Sequence, residues 1–362
     1  MPISAADAFN PAFQHVKRQL FQPFRFTQWL RLALVGFLAG ELGSGGGCNV
    51  NLPATHRDKG TEQLVSTLPA EWVSHLGMLV GLVLLLIILG TALWMALLYI
   101  SCVMRFILFD SVVAGECHIR KGWRRRTGEG LQLFAWQILL AILSFASLVV
   151  LIGIPLGMAW MFGWFTRPKE HILALVLGGL ALLMVFLALV MVLAVIYMMT
   201  KDFVVPQMAL ESISAAEGWR RLWEWMKMEK AGYAGYVGMK IVLAIGAGIA
   251  VGFIALIAIL MLLLPIGGAG VIAVLAGKAA GWTWNLYTIS LAVVAGGITL
   301  LLLLFVVSFL NVPAIVFFPA YSIYFLAGRY RLLADTLWPA PPAVFSPPSP
   351  EPPPRPAPTG TS

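Results

Sequence analysis

One group of side chains in this sequence has the composition and spacing of a binding surface rather than of a catalytic centre. Five basic residues lie between two long apolar segments: Arg120, Lys121, Arg124, Arg125 and Arg126. A cluster of about four to eight basic residues beside a membrane span is typical of affinity for anionic lipids. Trp123 lies within the cluster, and tryptophan favours the membrane–water interface. The segment is therefore a candidate contact for anionic lipid or a protein partner; alternatively, its charges only set the membrane orientation.

A second copy of this pattern occurs further along the chain. The tetrapeptide Gly122–Arg125 has the sequence GWRR, and the same four residues recur at Gly218–Arg221. Ser214 and Glu217 have the spacing of a capping box, which predicts the start of an amphipathic helix. Its aromatic and basic residues are included in the candidate contact surface: Trp219, Arg220 and Arg221.

Residues that support catalysis or cofactor binding form no recognisable motif. The five histidines are scattered without metal-ligand spacing, and the sequence has no nucleotide-binding or hydrolase signature. Among acidic residues, Glu41 borders an apolar segment, whereas Asp110 and Asp202 lie close to Arg105 and Lys201, with which we expect local ion pairs. We therefore expect no catalytic residues, no metal, no cofactor and no enzymatic activity.

The composition is that of a polytopic membrane protein. Of 362 residues, 60% are hydrophobic and only 11% are charged, whereas soluble domains carry about 25% charged residues. Three cysteines are too few for a secreted disulfide scaffold. The net charge of +8 does not indicate a nucleic-acid partner, because in a membrane protein the placement of charges matters more than their sum.

Hydropathy predicts an all-α bundle with six transmembrane helices. Five uncharged segments reach the roughly 20 residues needed to cross a bilayer: Leu76–Ile100, Leu131–Leu156, Ile172–Met199, Ile241–Leu264 and Trp284–Leu310. A shorter segment, Leu32–Gly40, is interpreted as the first span, because this assignment puts more Lys and Arg on one side. It places both termini in the cytoplasm and Glu41 near the outer surface.

Three regions and an internal repeat are predicted. Residues 1–28 form an interfacial amphipathic helix capped by Asn10, residues 29–338 the membrane domain, and residues 339–362 a disordered Pro-rich cytoplasmic tail. The repeat units, each with a cytoplasmic helix and two spans, are about 9–110, 111–205 and 206–311, followed by a closing segment, 312–338. Seven extra residues in unit three are expected to lengthen its cytoplasmic helix by about two turns.

The sequence also resembles a known class of membrane domain. The segments ISAAEGWRRLWEWMK, DFVVPQMAL and VFFPAYSIYFLAGRYR are similar to those of bacterial six-helix membrane domains of unknown function. These resemble the membrane domain attached to some glycerophosphodiester phosphodiesterases. The resemblance implies an integral protein of the bacterial inner membrane, but not the phosphodiesterase activity, which needs a separate barrel of about 250 residues.

Two functional hypotheses follow. The first is a non-enzymatic membrane protein that acts through helix packing, contact with the lipid bilayer or binding of an unidentified protein partner. The second is a transporter or lipid-handling permease built from parallel hairpin repeats. A hydrated cavity lined by polar residues would favour the second hypothesis, and a solidly packed apolar bundle would oppose it.

Overall fold

The computed structural model describes residues 4–41, 70–164, 171–281 and 285–338, and the predicted Pro-rich tail lies outside these ranges. The described residues form helices and contain no β-strand. The α-helices are α1 (Phe9–Phe21), α2 (Phe26–Leu38), α3 (Ala70–Ala114), α4 (Ile119–Met161), α5 (Ile172–Met199), α6 (Val205–Glu211), α7 (Ala215–Met228), α8 (Lys230–Ala279), α9 (Leu286–Leu310), α10 (Val312–Ala327) and α11 (Arg331–Leu337). A five-residue π-helix, Thr200–Val204, connects α5 to α6.

Among the described residues, five helices are long and apolar enough to cross a membrane, and the bent pair α10–α11 would make a sixth if it formed one span. The five helices account for the described parts of the five uncharged segments predicted from hydropathy, and Trp284 lies outside the described residues. They are α3, α4, α5, α8 and α9. The 50 residues of α8 extend about 75 Å at 1.5 Å per residue, well beyond a hydrocarbon core of roughly 30 Å. Helix α8 is therefore much longer than one crossing of a bilayer requires.

The segment predicted as the first span differs from the others. Helix α2 has 13 residues and a length of about 20 Å, too short for the hydrocarbon core. It lies along the C-terminal part of α3: Arg31 Nη1 donates to the Cys117 carbonyl at 3.3 Å, and the Ala39 carbonyl accepts from Arg105 Nη2 at 3.2 Å. Glu41 contacts Lys201. Glu41 thus lies at the same end of the protein as Arg105 and Lys201, and its predicted place at the opposite surface is wrong.

The buried core lies at this end of the bundle, in a region we call the helical cap. The cap comprises α1, α2, the end of α3 from Cys102 onward, the π-helix, α6, α7, α10, α11 and the N-terminal parts of α4 and α8. Its centre is aromatic: the Tyr236 ring lies 4.6 Å from Phe325 and 4.9 Å from Phe203 between centroids. By contrast, the most apolar windows of four of the five long helices contain no buried residue. Most of the span surface is therefore available to lipid.

Helix α1 packs against the other helices of the cap through its aliphatic side chains. Ala12, Val16 and Leu20 are buried, whereas Phe13 is exposed. The helix begins at Phe9 and ends at Phe21, so Asn10 lies inside it and is not the cap, and the predicted helix over 1–28 is divided by the turn before α2.

The two GWRR segments occupy similar positions but continue differently. The first opens α4, which runs unbroken into a span, whereas the second forms α7 and is separated from α8 at Glu229. The extra residues of unit three thus accompany a helix break, and the predicted lengthening is wrong. The Ser214 hydroxyl accepts from the Glu217 N–H as the capping box predicts, but the Glu217 carboxylate binds Arg220 and Arg221 instead of completing the box.

Candidate functional site: a basic cleft and a buried charge cluster

The first basic cluster borders an open cleft beside the α3–α4 turn. The cleft has a volume of about 570 Å³ and is lined by Arg31, His118, Ile119, Arg120, Lys121 and Arg124. Arg120, Lys121 and Arg124 are exposed, and Arg31 is held by its hydrogen bond to Cys117. Among the described residues, no acidic side chain lines the cleft. We call it the basic cleft.

Arg126 belongs to a different environment from its neighbours in sequence. It is 4% exposed, and its Nε and Nη2 donate to the two oxygens of Asp110 at 2.8 and 2.7 Å. Its Nη1 donates to the Ala209 carbonyl at 2.8 Å. Arg126 therefore ties α4 to α3 and α6, and its inclusion in the lipid-contact cluster is corrected: its guanidinium faces the protein. Arg125 is exposed but does not line the cleft.

The second GWRR copy is electrostatically compensated. Arg220 Nη2 donates to Glu217 at 2.9 Å, and Arg221 bonds both Glu217, at 3.1 Å, and Glu211, at 2.6 Å. The hydrogen bond from Arg221 lowers the pKa of the Glu217 carboxyl below its ordinary value. Trp219 donates its indole N–H to the Thr200 hydroxyl at 3.1 Å. Trp123 in the first copy packs edge-on against Tyr99. Both tryptophans are partly buried against the end of a span.

A second cluster of charges is buried inside the helical cap. We call it the charge cluster, and its five ionisable members are Glu41, Arg105, Lys201, Asp202 and Lys240. Lys201 Nζ contacts Glu41 Oε2, and Lys240 Nζ contacts Asp202 Oδ2. The Tyr236 hydroxyl donates to the same Asp202 oxygen at 2.9 Å. These pairs join α2, the π-helix and α8.

Arg105 completes the charge cluster from α3. Its Nη2 donates to the Tyr197 hydroxyl oxygen at 2.5 Å and to the Ala39 carbonyl. Its Nε and Nη1 are buried without a hydrogen-bond partner. A small cavity of about 20 Å³ lies between Arg105, Lys201, Asp202, Glu41 and residues of α10. Such a volume accommodates roughly one water-sized particle.

The ion pairs expected from sequence form between other partners. Asp110 pairs with Arg126 rather than Arg105, and Asp202 pairs with Lys240 rather than Lys201. Lys240 immediately precedes the uncharged segment Ile241–Leu264, and a cation in that position near a span is a sign that it faces a buried carboxylate. Sequence spacing alone does not identify the carboxylate, because the partners lie on different helices.

The described residues contain no group of three or more His, Cys, Asp or Glu side chains that is arranged to hold a metal ion. The basic cleft offers exposed cations to an anionic group, and the charge cluster offers buried donors around a small cavity.

Comparison with known proteins identifies a family without assigning an activity. No curated protein and no solved structure matches the chain. A family of unknown function, DUF7544, matches residues 3–335, which include both GWRR copies, the basic cleft and the charge cluster. The chain belongs to the DUF7544 family.

Proposed function

We propose that this protein is a non-enzymatic integral membrane protein that binds anionic lipid headgroups in the basic cleft. The supporting observation is the lining of the cleft: four Arg and Lys side chains and His118, with no carboxylate, around about 570 Å³. A phosphate-bearing headgroup supplies the negative charge that this surface lacks.

The position of the cleft supports the same proposal. The α3–α4 turn connects two of the apolar helices, so the cleft lies at the membrane surface on the side of the cap. Exposed phenylalanines of the neighbouring α1–α2 region, among them Phe21, Phe24 and Phe26, provide apolar groups suited to the headgroup–acyl boundary. Apolar insertion and basic headgroup contact together are typical of a protein surface held at the interface.

We further propose six membrane crossings with both termini in the cytoplasm of a bacterial inner membrane. Helices α1 and α10 are packed together, so both ends of the described chain lie at the cap end. Helix α3 starts at the opposite end, because its C-terminus enters the cap. Five spans cannot return the chain to its starting side, which favours a sixth crossing. The Lys and Arg at the cap end suit the cytoplasmic side.

The repeat proposal is supported by corresponding contacts in two units. A Cβ added at Gly122 would lie 3.0 Å from Ile107, and one added at Gly218 would lie 2.9 Å from Val204. In each case a GWRR helix packs its glycine against the end of the preceding span. The resemblance to membrane domains attached to phosphodiesterases supports the membrane placement and carries no proposal of phosphodiesterase activity.

The alternative, a lipid-handling permease, is favoured by the charge cluster, since ionisable residues buried near spans often serve transport. The cavity of about 20 Å³ is too small for a headgroup, so transport would require the cap to open. Lipid binding without translocation needs no such opening.

The test is lipid retention by a triple variant of the cleft, Arg120→Gln, Lys121→Gln and Arg124→Gln. Each charge near the surface contributes about 1 kcal/mol to binding anionic lipid, so we expect up to about a hundred-fold loss of affinity. The measurement is native mass spectrometry of the purified protein with phosphatidylglycerol, with membrane orientation checked separately.

The matched control removes three exposed positive charges elsewhere: Lys17→Gln, Arg220→Gln and Lys227→Gln. This variant has the same net charge as the cleft variant but an intact cleft. Equal lipid loss in both variants would show a nonspecific charge effect and contradict the proposal.

A further inference from the structure

The charge cluster has an excess of positive charge in a buried place. Arg105, Lys201 and Lys240 supply three cations, whereas Glu41 and Asp202 supply two carboxylates. Four of the five side chains are buried, and the fifth, that of Lys201, is only 11% exposed. In their ordinary charge states the five groups sum to +1. An uncompensated buried charge is costly, so a counter-ion within the cluster would stabilise the fold.

Arg105 provides unused donors for such an ion. It is 4% exposed, and its Nε and Nη1 have no hydrogen-bond partner among the described residues. Each carboxylate of the cluster is already contacted by a lysine, Glu41 by Lys201 and Asp202 by Lys240. Buried guanidinium N–H groups without an acceptor are rare in folded proteins and need an explanation such as a bound ion or water.

The volume of the cavity beside Arg105 limits the size of the ion that it can hold. Its volume of about 20 Å³ is bordered by apolar side chains of α3, α6 and α10 and by five polar residues: Arg105, Lys201, Ser322 and the two lysine-contacted carboxylates, Glu41 and Asp202. This space excludes polyatomic organic anions and phosphate esters. The π-helix that carries Lys201 and Asp202 shapes one wall, and such helices occur frequently at functional sites.

We propose that this cavity binds one small monovalent anion of the halide class, chloride being the physiological example, held by Arg105 and Lys201. The ion neutralises the excess charge and accepts the hydrogen bonds that Arg105 otherwise lacks. It thereby links α3 to the π-helix and makes the packing of the cap dependent on chloride. This site is separate from the basic cleft and does not depend on the lipid proposal.

The experiment measures the thermal unfolding of the full-length protein in nanodiscs of neutral phosphatidylcholine. Sodium gluconate is replaced stepwise by sodium chloride at constant ionic strength. We expect a saturable rise in unfolding temperature with chloride and bromide and none with gluconate. At a chloride concentration about 100-fold above Kd, the folded-to-unfolded ratio rises about 100-fold.

Two variants test whether the stabilisation by chloride arises at this cavity. Arg105→Gln removes the donors, and Ser322→Thr adds a methyl group that fills the cavity while retaining all five charges. Both should lose the chloride dependence. The first control is Arg126→Gln, another buried arginine, whose partners are Asp110, Glu129 and Ala209. The second control is Ser111→Thr, another buried serine, which does not line the cavity. Both controls should retain the chloride dependence.

Three outcomes would overturn the proposal. The first is equal stabilisation of the wild-type protein by chloride and gluconate, which would leave water as the occupant. The second is persistence of the chloride effect in Arg105→Gln or, where that variant does not fold, in Ser322→Thr. The third is loss of the effect in the control variants as well.

Discussion

At the scale of single residues, burial divides a basic cluster that is uniform in sequence. Arg125 is exposed, whereas Arg126 is buried and bonded to Asp110 through two hydrogen bonds. Adjacent positions on a helix point about 100° apart, so one faces solvent and the next faces α3. Arginine therefore contributes a surface charge at position 125 and a buried ion pair between helices at position 126.

The first prediction compares these neighbours. Arg126→Gln leaves the Asp110 carboxylate without its cation, and because Asp110 is partly exposed we expect a loss of about 2–3 kcal/mol in unfolding free energy. Arg125→Gln should change it by less than about 0.5 kcal/mol. Denaturant unfolding in detergent micelles measures both, and a similar stability for the two variants would refute the assignment of Arg126 as a structural residue.

The second prediction concerns His15 in α1. Its Nε2 lies 2.9 Å from the Val112 carbonyl and its Nδ1 lies 3.2 Å from the Tyr324 hydroxyl. Burial lowers the pKa of His15 below its ordinary value of 6.5, and Arg18 acts in the same direction. The folded state thus favours neutral imidazole. The resulting stabilisation is complete above about pH 6.5 and is lost as the pH falls through the lower, folded-state pKa.

We therefore expect the unfolding temperature of the wild-type protein to fall more between pH 8 and pH 5 than that of His15→Gln, which cannot gain a proton. Other titrating groups are common to both proteins and cancel in the comparison. Parallel pH profiles would show that His15 is not held neutral by the fold.

At the scale of elements, the crossing of α3 and α4 brings Gly130 close to the backbone of Val103. A Cβ added at Gly130 would lie 2.5 Å from Val103 Cγ2 and 3.3 Å from Val103 Cα. The backbone atom cannot turn aside as a side chain can, so the helices must separate. Gly128 lies in the same helix with no atom within 4 Å of an added Cβ.

The third prediction compares alanine substitutions at Gly130 and Gly128. Gly130→Ala should destabilise the protein by about 1–3 kcal/mol through overpacking, whereas Gly128→Ala should stabilise it by up to about 1 kcal/mol through helix propensity. Thermal unfolding of the two single variants gives the sign of each change. Stabilisation by both substitutions would mean that α3 and α4 do not cross at Gly130.

At the scale of the whole molecule, the protein is a compact cap joined to apolar helices that bury little of their surface in each other. The N- and C-terminal helices meet in the cap, because α1 and α10 are packed together. The cap and the turn at Phe162 lie at opposite ends of α4. Membrane topology can therefore be tested at these two positions.

The fourth prediction is that cysteines introduced at Gly128 and Phe162 face opposite sides of the membrane. Both positions are exposed, whereas Cys102 and Cys117 are buried and should not react. With Cys48 replaced by Ser, an impermeant thiol reagent applied to intact spheroplasts should label Phe162→Cys. Gly128→Cys should react only after permeabilisation, and labelling of both in intact spheroplasts would contradict the topology.

Local pattern was sufficient for much of the helix assignment. The five long apolar helices, the α7 start at Ser214 and the exposure of Arg120, Lys121 and Arg124 follow from hydropathy, capping and helical periodicity. Sequence patterns do not predict the helix break at Glu229, because the residues around it retain good helix propensity and the break accompanies an ion pair with Arg329, which lies in the turn between α10 and α11.

The sequence by itself determined that this protein has several helices long and apolar enough to cross a membrane, since its uncharged apolar runs reach the roughly 20 residues that a span needs. It also located the basic cluster beside a span. Only the tertiary structure decided which charges pair, that Glu41 joins Lys201 in the cap, and that Arg105 borders a cavity. Those facts depend on contacts between helices far apart in the chain, whereas hydropathy and periodicity report on neighbours within a few turns.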